Sequence, residues 1–193
     1  MLFSKPYLLI YTLLLLHPHL VRAAIRFESL LIHPGNHVPV DLIETSSRDF
    51  VIVGYSYSGS NYDAFISKLD SRGRLLWAKE TQSTHLGTFE GVLETLDGGF
   101  IVTGDLKHSF AQRSAVILKF DANGNLQWGR EIRGYKINEG RKVIQTSDGS
   151  YVVAGRIRAE GQGGEDAFIL KVDGNGNKQW LRIYGFSSDD KGI

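Results

Sequence analysis

Apolar positions along this chain fall in short unbroken runs, not in the three-and-four spacing of an amphipathic helix. "FVIVG" (Phe50–Gly54), "FIVTG" (Phe100–Gly104) and "YVVAG" (Tyr151–Gly155) are apolar on consecutive residues, rich in β-branched and aromatic types, and each stops at a Gly. Such runs predict strands buried on both faces. Each follows a segment in which a shorter apolar run ends in Thr and a polar turn: "LIETSSRDF", "VLETLDGGF" and "VIQTSDGSY". Each precedes a third phrase, "ISKLDSRGRLLW", "ILKFDANGNLQW" or "ILKVDGNGNKQW", in which a Lys-x-Asp is followed by Gly and then Trp.

The intervals between these landmarks establish an internal repeat. Thr45 to Gly54, Thr95 to Gly104 and Thr146 to Gly155 each span nine residues, as do Lys68 to Trp77, Lys119 to Trp128 and Lys171 to Trp180. Trp77 to Thr95 and Trp128 to Thr146 are both eighteen. Only the Gly-to-Lys interval changes, from fourteen to fifteen to sixteen, so the length variation is expected in one loop per unit. Each unit reads as four strands, A to D, with Asp97-Gly98 and Asp148-Gly149 suited to a tight A–B hairpin. At the C–D turn, Asp70, Asp121 and Asp173 are expected to accept backbone hydrogen bonds, while Gly73, Gly124 and Gly176 turn the chain. The first unit has "TSSRDF" where the others have Gly, so a looser A–B hairpin is expected there.

Four strands per unit, roughly fifty residues each, with apolar faces on both sides, predict an all-β chain of four-stranded antiparallel β-propeller blades. The units run over about 38–87, 88–138 and 139–190, and 191–193 opens a further one. Gly54, Gly104 and Gly155 end strand B, and Trp77, Trp128 and Trp180 lie on strand D, where each indole can cover the edge of a neighbouring blade. Phe27 precedes Thr45 by eighteen residues, so residues 25–33 are expected to form a lone outer strand D with Phe27 in the Trp position. Three blades and an outer strand leave the ring incomplete, since about four blades are needed to close one. A longer propeller, association of copies, and an open stack of blades would each account for that.

Composition adds a location and removes some partners. Residues 1–23 carry Lys5, a ten-residue apolar block (Tyr7–Leu16) and then Val21 and Ala23 two apart, the pattern of a signal peptide cut after Ala23. A secreted, periplasmic or cell-surface protein is expected. The chain has no Cys, so neither disulfides nor Cys-linked lipid contribute. Losing Lys5 and Arg22 changes 22 cations against 21 acids to 20 against 21. A near-neutral chain without a basic run lacks the footprint for nucleic acid or for anionic membranes.

The Asp–Gly–Trp phrase, as in "LDSRGRLLW", resembles the tryptophan-docking repeat of quinoprotein-like propellers, although that motif usually has one more residue between Asp and Gly. The combination "QTSDGSYVVAG…DAFILKVDGNGNKQW" is more similar to roughly 50-residue repeats of secreted and surface propeller proteins of bacteria and archaea. The likeness spans about Ile25 to Ile193. It implies a propeller fold and, for the quinoprotein branch, a cofactor-dependent oxidoreductase.

The residues themselves point elsewhere. "DGNGN" has oxygen-bearing side chains at alternate positions, but a calcium loop would need Gly where Lys178 stands and a carboxylate where Tyr184 stands, which favours plain turn chemistry. His33 and His37 flank Pro34-Gly35, which denies them helical metal spacing. His85 and His108 are expected on the same blade face, as a metal or acid–base pair or as solvated loop residues. Lys68, Lys119 and Lys171 each stand two residues before an Asp and are expected to pair with it at the rim. Neither a Gly-rich phosphate loop nor a Gly-x-Ser-x-Gly elbow is present, and "GQGGED" (Gly161–Asp166) reads as a flexible loop.

The B–C loop face remains, carrying Tyr55, Tyr57, Tyr62, Lys107, His108, Phe110, Arg113, Arg156 and Arg158. Aromatic and Arg side chains on loops held by a rigid scaffold favour partner contact. The sequence therefore predicts an exported, non-catalytic binding or scaffold propeller with no cofactor, metal or catalytic residue. Its partner is a protein or a glycan, met through the B–C and D–A loops. The alternatives are a quinoprotein-like oxidoreductase and a fragment with no function of its own.

Overall fold

The computed structural model describes residues 27–29, 36–58, 61–81, 86–109, 112–133, 137–158 and 165–185. The leader, Phe110, His33, His85 and the Gly-rich stretch 161–164 lie outside them. Thirteen strands follow in order: β1 (Phe27–Ser29), β2 (Asn36–Glu44), β3 (Phe50–Ser58), β4 (Asn61–Leu69), β5 (Leu75–Thr81), β6 (Leu86–Glu94), β7 (Phe100–Ser109), β8 (Gln112–Phe120), β9 (Leu126–Ile132), β10 (Ile137–Gln145), β11 (Tyr151–Arg158), β12 (Asp166–Val172) and β13 (Lys178–Tyr184). They form three antiparallel sheets in propeller-blade order, β2 to β5, β6 to β9 and β10 to β13, each a meander in chain sequence. The stack does not close on itself.

The unbroken apolar runs find their reason in the middle sheet. Phe100, Val102, Leu118 and Phe120 face the first sheet and meet Val51, Val53, Ala64 and Ile66 in one core. Ile101, Ala115 and Ile117 face the other way and meet Tyr151, Val153, Phe168 and Leu170 in a second. Successive residues of β7 and β8 point to opposite faces, and here both faces are covered.

Every A–B turn uses the same pair of backbone bonds. Thr95 N–H donates to the Gly99 carbonyl at 2.9 Å, and Gly98 N–H to that of Thr95 at 2.8 Å; the third sheet repeats this with Thr146, Ser150 and Gly149. The first sheet lacks the Gly yet makes the same turn: Thr45 N–H to Asp49 and Arg48 N–H to Thr45, both at 2.8 Å. Arg48 takes φ +64°, matching +75° at Gly98 and +80° at Gly149. The hairpin expected to be looser is as tight as the others, at the expense of a left-handed conformation that disfavours a side chain.

At the C–D turns, one carboxylate oxygen of Asp121 accepts the N–H groups of Asn123 and Asn125 at 2.9 and 2.8 Å, and the other accepts Asn125 Nδ2 at 2.9 Å. Asp70 and Asp173 do the same in their units. In "DGNGN" the carboxylate of Asp173 is thus engaged in shaping a turn, accepting from Asn175 and Asn177. The lysines two residues upstream do not pair with these carboxylates, as the sequence led us to expect. Lys68 reaches Asp49 at 3.1 Å, Lys119 reaches Asp97 at 2.9 Å and Lys171 reaches Asp148 at 2.7 Å, all acids of the A–B turn. Strands B and C are neighbours, so the start of B brings that turn beside the end of C.

The segment at Phe27 departs from expectation in its placement. β1 pairs antiparallel with β5, Phe27 opposite Thr81, as a fifth strand outside the first blade instead of a separate strand D. The varying B–C length is also shared out differently. The extra residue of the second unit is absorbed as a bulge between Lys107 and Ser109, placing His108 out of register within β7.

Gly124 (φ +76°) has no room for a side chain, because a Cβ there would come within 2.8 Å of the Trp77 ring. A Cβ on Gly176 would come within 2.7 Å of Trp128. Each of these indoles therefore lies on the C–D turn of the following blade and meets the first aromatic of its strand B: Trp77 and Phe100, Trp128 and Tyr151, both with ring centroids 6.0 Å apart.

Candidate functional site

The B–C ends of the sheets hold two different assemblies. On the first sheet, Tyr55, Tyr57 and Tyr62 form an aromatic cluster. Tyr57 and Tyr62 are cross-strand partners whose rings stack at 5.9 Å, and Tyr55 lies 5.6 Å from Tyr62 and 6.5 Å from Tyr57. Tyr55 and Tyr57 are half-buried and Tyr62 is 37% exposed, so the cluster presents ring surface to solvent. The β3–β4 register runs on to Ser58 opposite Asn61, which sets the relative positions of the three rings.

Between the second and third sheets the face is charged and closed. Glu139, at 3% exposure, accepts Arg156 Nε and Nη2, both at 2.7 Å, Arg113 Nη1 at 3.0 Å and Arg141 Nη2 at 3.1 Å. Burial raises its pKa, but the Arg156 hydrogen bonds and the charges of Arg156, Arg113 and Arg141 outweigh that and hold it below the ordinary Glu value. Arg156 also reaches Glu165 at 2.6 Å. Of the arginines expected to be available to a partner, Arg113 is therefore spent on the seam, and Arg156 is held by Glu139 and Glu165 of its own blade.

Asp105, 2% exposed, follows strand B's Gly104 directly. Burial pushes its carboxyl up; the Thr88 hydroxyl at 2.5 Å and Arg113 at 3.5 Å pull it back, and Glu139 and Glu90 add repulsion, leaving it at about 6. Such a group could exchange a proton near neutrality, but its burial keeps substrates from touching it. On the far side of the same sheet, Glu131 accepts His108 Nε2 at 2.5 Å and Arg133 Nη2 at 2.8 Å. Burial raises the Glu131 carboxyl, while the bonds from Arg133, Ser114 and His108 bring it below its usual value. His108 therefore has a carboxylate partner. Lys107 lies on β7 beside Arg113 in the pairing register, and Arg158 ends β11, exposed.

The structure thus gathers the three tyrosines into one patch and scatters the charged candidates: Arg113 at the seam, His108 on the far side of its sheet, and Arg156 and Arg158 on the third sheet's outer face. Sequence reasoning missed Asp105, Glu131 and Glu139. Asp105 left the clearest trace, an acid directly after an apolar strand run. Among the described residues, no group of three or more His, Asp or Glu side chains could hold a metal ion. No family model matches the chain, and no curated protein matches it.

Proposed function

We propose that this chain is an exported, non-catalytic binding or scaffold module that meets a protein or glycan partner with its B–C loop face. The Tyr55–Tyr57–Tyr62 cluster carries this reading. Tyrosine offers a flat apolar face and a hydroxyl at low conformational cost, which suits both the hydrophobic face of a sugar ring and a protein hot spot. Three such rings, held by paired strands and partly open to water, need little reorganisation to bind. The leader-like N-terminal segment supports export, and the Asp–Gly–Trp repeats support kinship with secreted and surface propeller proteins.

The test is retention on a glycan panel and pull-down from the medium surrounding the cells. The wild-type chain is compared with a Tyr57→Ala/Tyr62→Ala variant whose circular dichroism and melting are unchanged. Loss of retention on one of the two is expected. Equal retention by both proteins would refute the reading.

A further inference from the structure

The two seams in this molecule are built from the same parts, and the two outer sheets each present one half of a third. At each seam the earlier blade supplies a Trp and the later blade a C–D Gly: Trp77 on Gly124, Trp128 on Gly176. The third sheet has the next Trp, Trp180, 37% exposed. The first sheet has the next Gly, Gly73, at φ +77° with nothing within 4 Å of a would-be Cβ.

Of the polar fastenings, the A–B turn bond occurs at both seams, and an Arg two residues after the Trp serves the second, where the first has Lys79. Arg130, two residues after Trp128, donates to the carbonyls of Gly176 at 3.0 Å and Asn175 at 2.7 Å. Arg182 stands two residues after Trp180. At the A–B turns, Ser46 N–H donates to Glu94 at 2.6 Å and Leu96 N–H to Gln145 at 2.9 Å. By the repeat, Ser147 is the next donor and Glu44 the matching acceptor.

The exposed faces also match in shape and charge. The outer face of the third sheet carries a cleft of about 380 Å³ lined by Arg141, Lys142, Ala154, Arg156, Glu165 and Asp166 among others. The equivalent place on the second sheet is filled by β10, whose Arg141 carbonyl crowds Gly91 and whose Gly140 crowds Thr103. In repeat register, Pro39 and Val40 of β2 correspond to Gly140 and Arg141. The pairing registers place Arg156, Arg158, Lys171 and Arg182 on the third sheet's outer face, and Glu44, Asp63 and Glu80 on the first sheet's. Arg156 and Lys171 are already paired with Glu139, Glu165 and Asp148, so it is Arg158 and Arg182 that would meet Glu44, Asp63 and Glu80 of the other flank.

We propose that a second copy of this chain seats its first sheet on the outer face of the third sheet, head to tail. Trp180 lies on the partner copy's Gly73 turn and beside its Phe50, Arg182 bonds the turn carbonyls, and Ser147 N–H reaches Glu44. The contact is heterologous, so it closes into a ring where the rotation permits and otherwise propagates. Two copies would supply six blades, within the ordinary range of closed propellers.

Sedimentation velocity of the full chain over a dilution series, at low and high salt, tests the contact. Wild type is expected to associate, less so at high salt because opposite charges are screened. Trp180→Ala and Arg182→Glu, each with unchanged circular dichroism, are expected to weaken association about tenfold or more, as for truncation of a central hot spot. Because the chain has no native Cys, orientation can be read by crosslinking. A Ser147→Cys chain mixed with a Glu44→Cys chain is expected to form a disulfide-linked pair, and Ser147→Cys alone is not. A monomer at every concentration would overturn the proposal and leave the flank to another occupant. Association that ignores both substitutions, or crosslinks Ser147→Cys to itself, would overturn it equally.

Discussion

Trp77 rests on Gly124, forty-seven residues further along the chain, so closely that a Cβ at that glycine would come within 2.8 Å of the indole. Gly73 has the same backbone conformation, but nothing lies within 4 Å of a would-be Cβ there. The two glycines therefore separate the backbone cost of a side chain from the packing cost. Gly73→Ala should lose about 1–2 kcal/mol, the penalty for a left-handed residue. Gly124→Ala should lose a further 1–3 kcal/mol or so, as overpacking does when a ring is displaced. Urea unfolding at high dilution measures both, and equal losses would refute the docking.

The Lys119 ammonium is buried, with its side chain 3% exposed, and Asp97 is its carboxylate partner. Asp97 itself is 59% exposed, so water takes over part of its role when it is removed, and the loss is about 1.5–3 kcal/mol, as for a hydrogen bond to a charged group. The carbonyl of Phe120 and the Gln127 side chain also accept from this ammonium, so Asp97→Ala should fall at the lower end. Asp148→Ala should cost much less, since Lys171 stands on the outer flank with 20% of its side chain exposed. Burial raises the Asp97 carboxyl, but hydrogen bonds from Thr95, Lys119 and Gly99 bring it down to about 2. Its contribution is thus complete above its unfolded value and is lost as pH falls toward 2. Chemical unfolding of both variants checks the ranking.

Asp105 gives the opposite slope. Its folded carboxyl titrates near 6, above its ordinary value, so the folded state holds the proton more tightly than the unfolded one. Stability from this group is greatest below about pH 4 and declines as pH rises through 6, by about 3 kcal/mol in all. Asp105→Asn, which cannot ionise, should remove this decline. The difference in unfolding free energy between variant and wild type, followed from pH 4 to 8, should grow with pH and then level off. A difference independent of pH would refute the assignment.

Arg48 holds the only positive φ of a non-glycine among the described residues. Arg48→Gly should stabilise the chain by about 1 kcal/mol, since Gly adopts this region without a Cβ clash, less the extra backbone entropy it loses on folding. A thermal melt measures this, and a lower melting temperature would count against the strain.

Much of the architecture could be read from the chain because it rests on local regularities. The Thr-to-Gly and Lys-to-Trp intervals are strand-plus-turn lengths, and the consecutive apolar residues of "FIVTG" signal a strand covered twice. The partners of Lys68, Lys119 and Lys171 could not be read this way. Each lysine has an Asp two residues away in sequence and another brought close by strand pairing, and pairing decides. Asp105, Glu131 and Glu139 were missed for a related reason. Glu139 matters because Arg113 comes from a neighbouring sheet, and no spacing within a unit encodes that meeting. The tyrosine cluster falls between these cases: Tyr55 and Tyr57 share a strand face by alternation, but Tyr62 joins them only through the β3–β4 register.

The seams have a consequence for how such a chain can change over generations. Trp-on-Gly docking and the hydrogen bond from an A–B turn to the next strand A use equivalent positions at both junctions. Deleting or duplicating one whole unit joins a used surface to an identical one, so neighbours on either side meet the partners they already fit. Losing half a unit instead strands an indole without its glycine and a turn without its acceptor. Growth and shrinkage by whole blades is therefore the inexpensive route open to this sequence, and drift in length is freest at the B–C connections, where the Gly-to-Lys interval already varies.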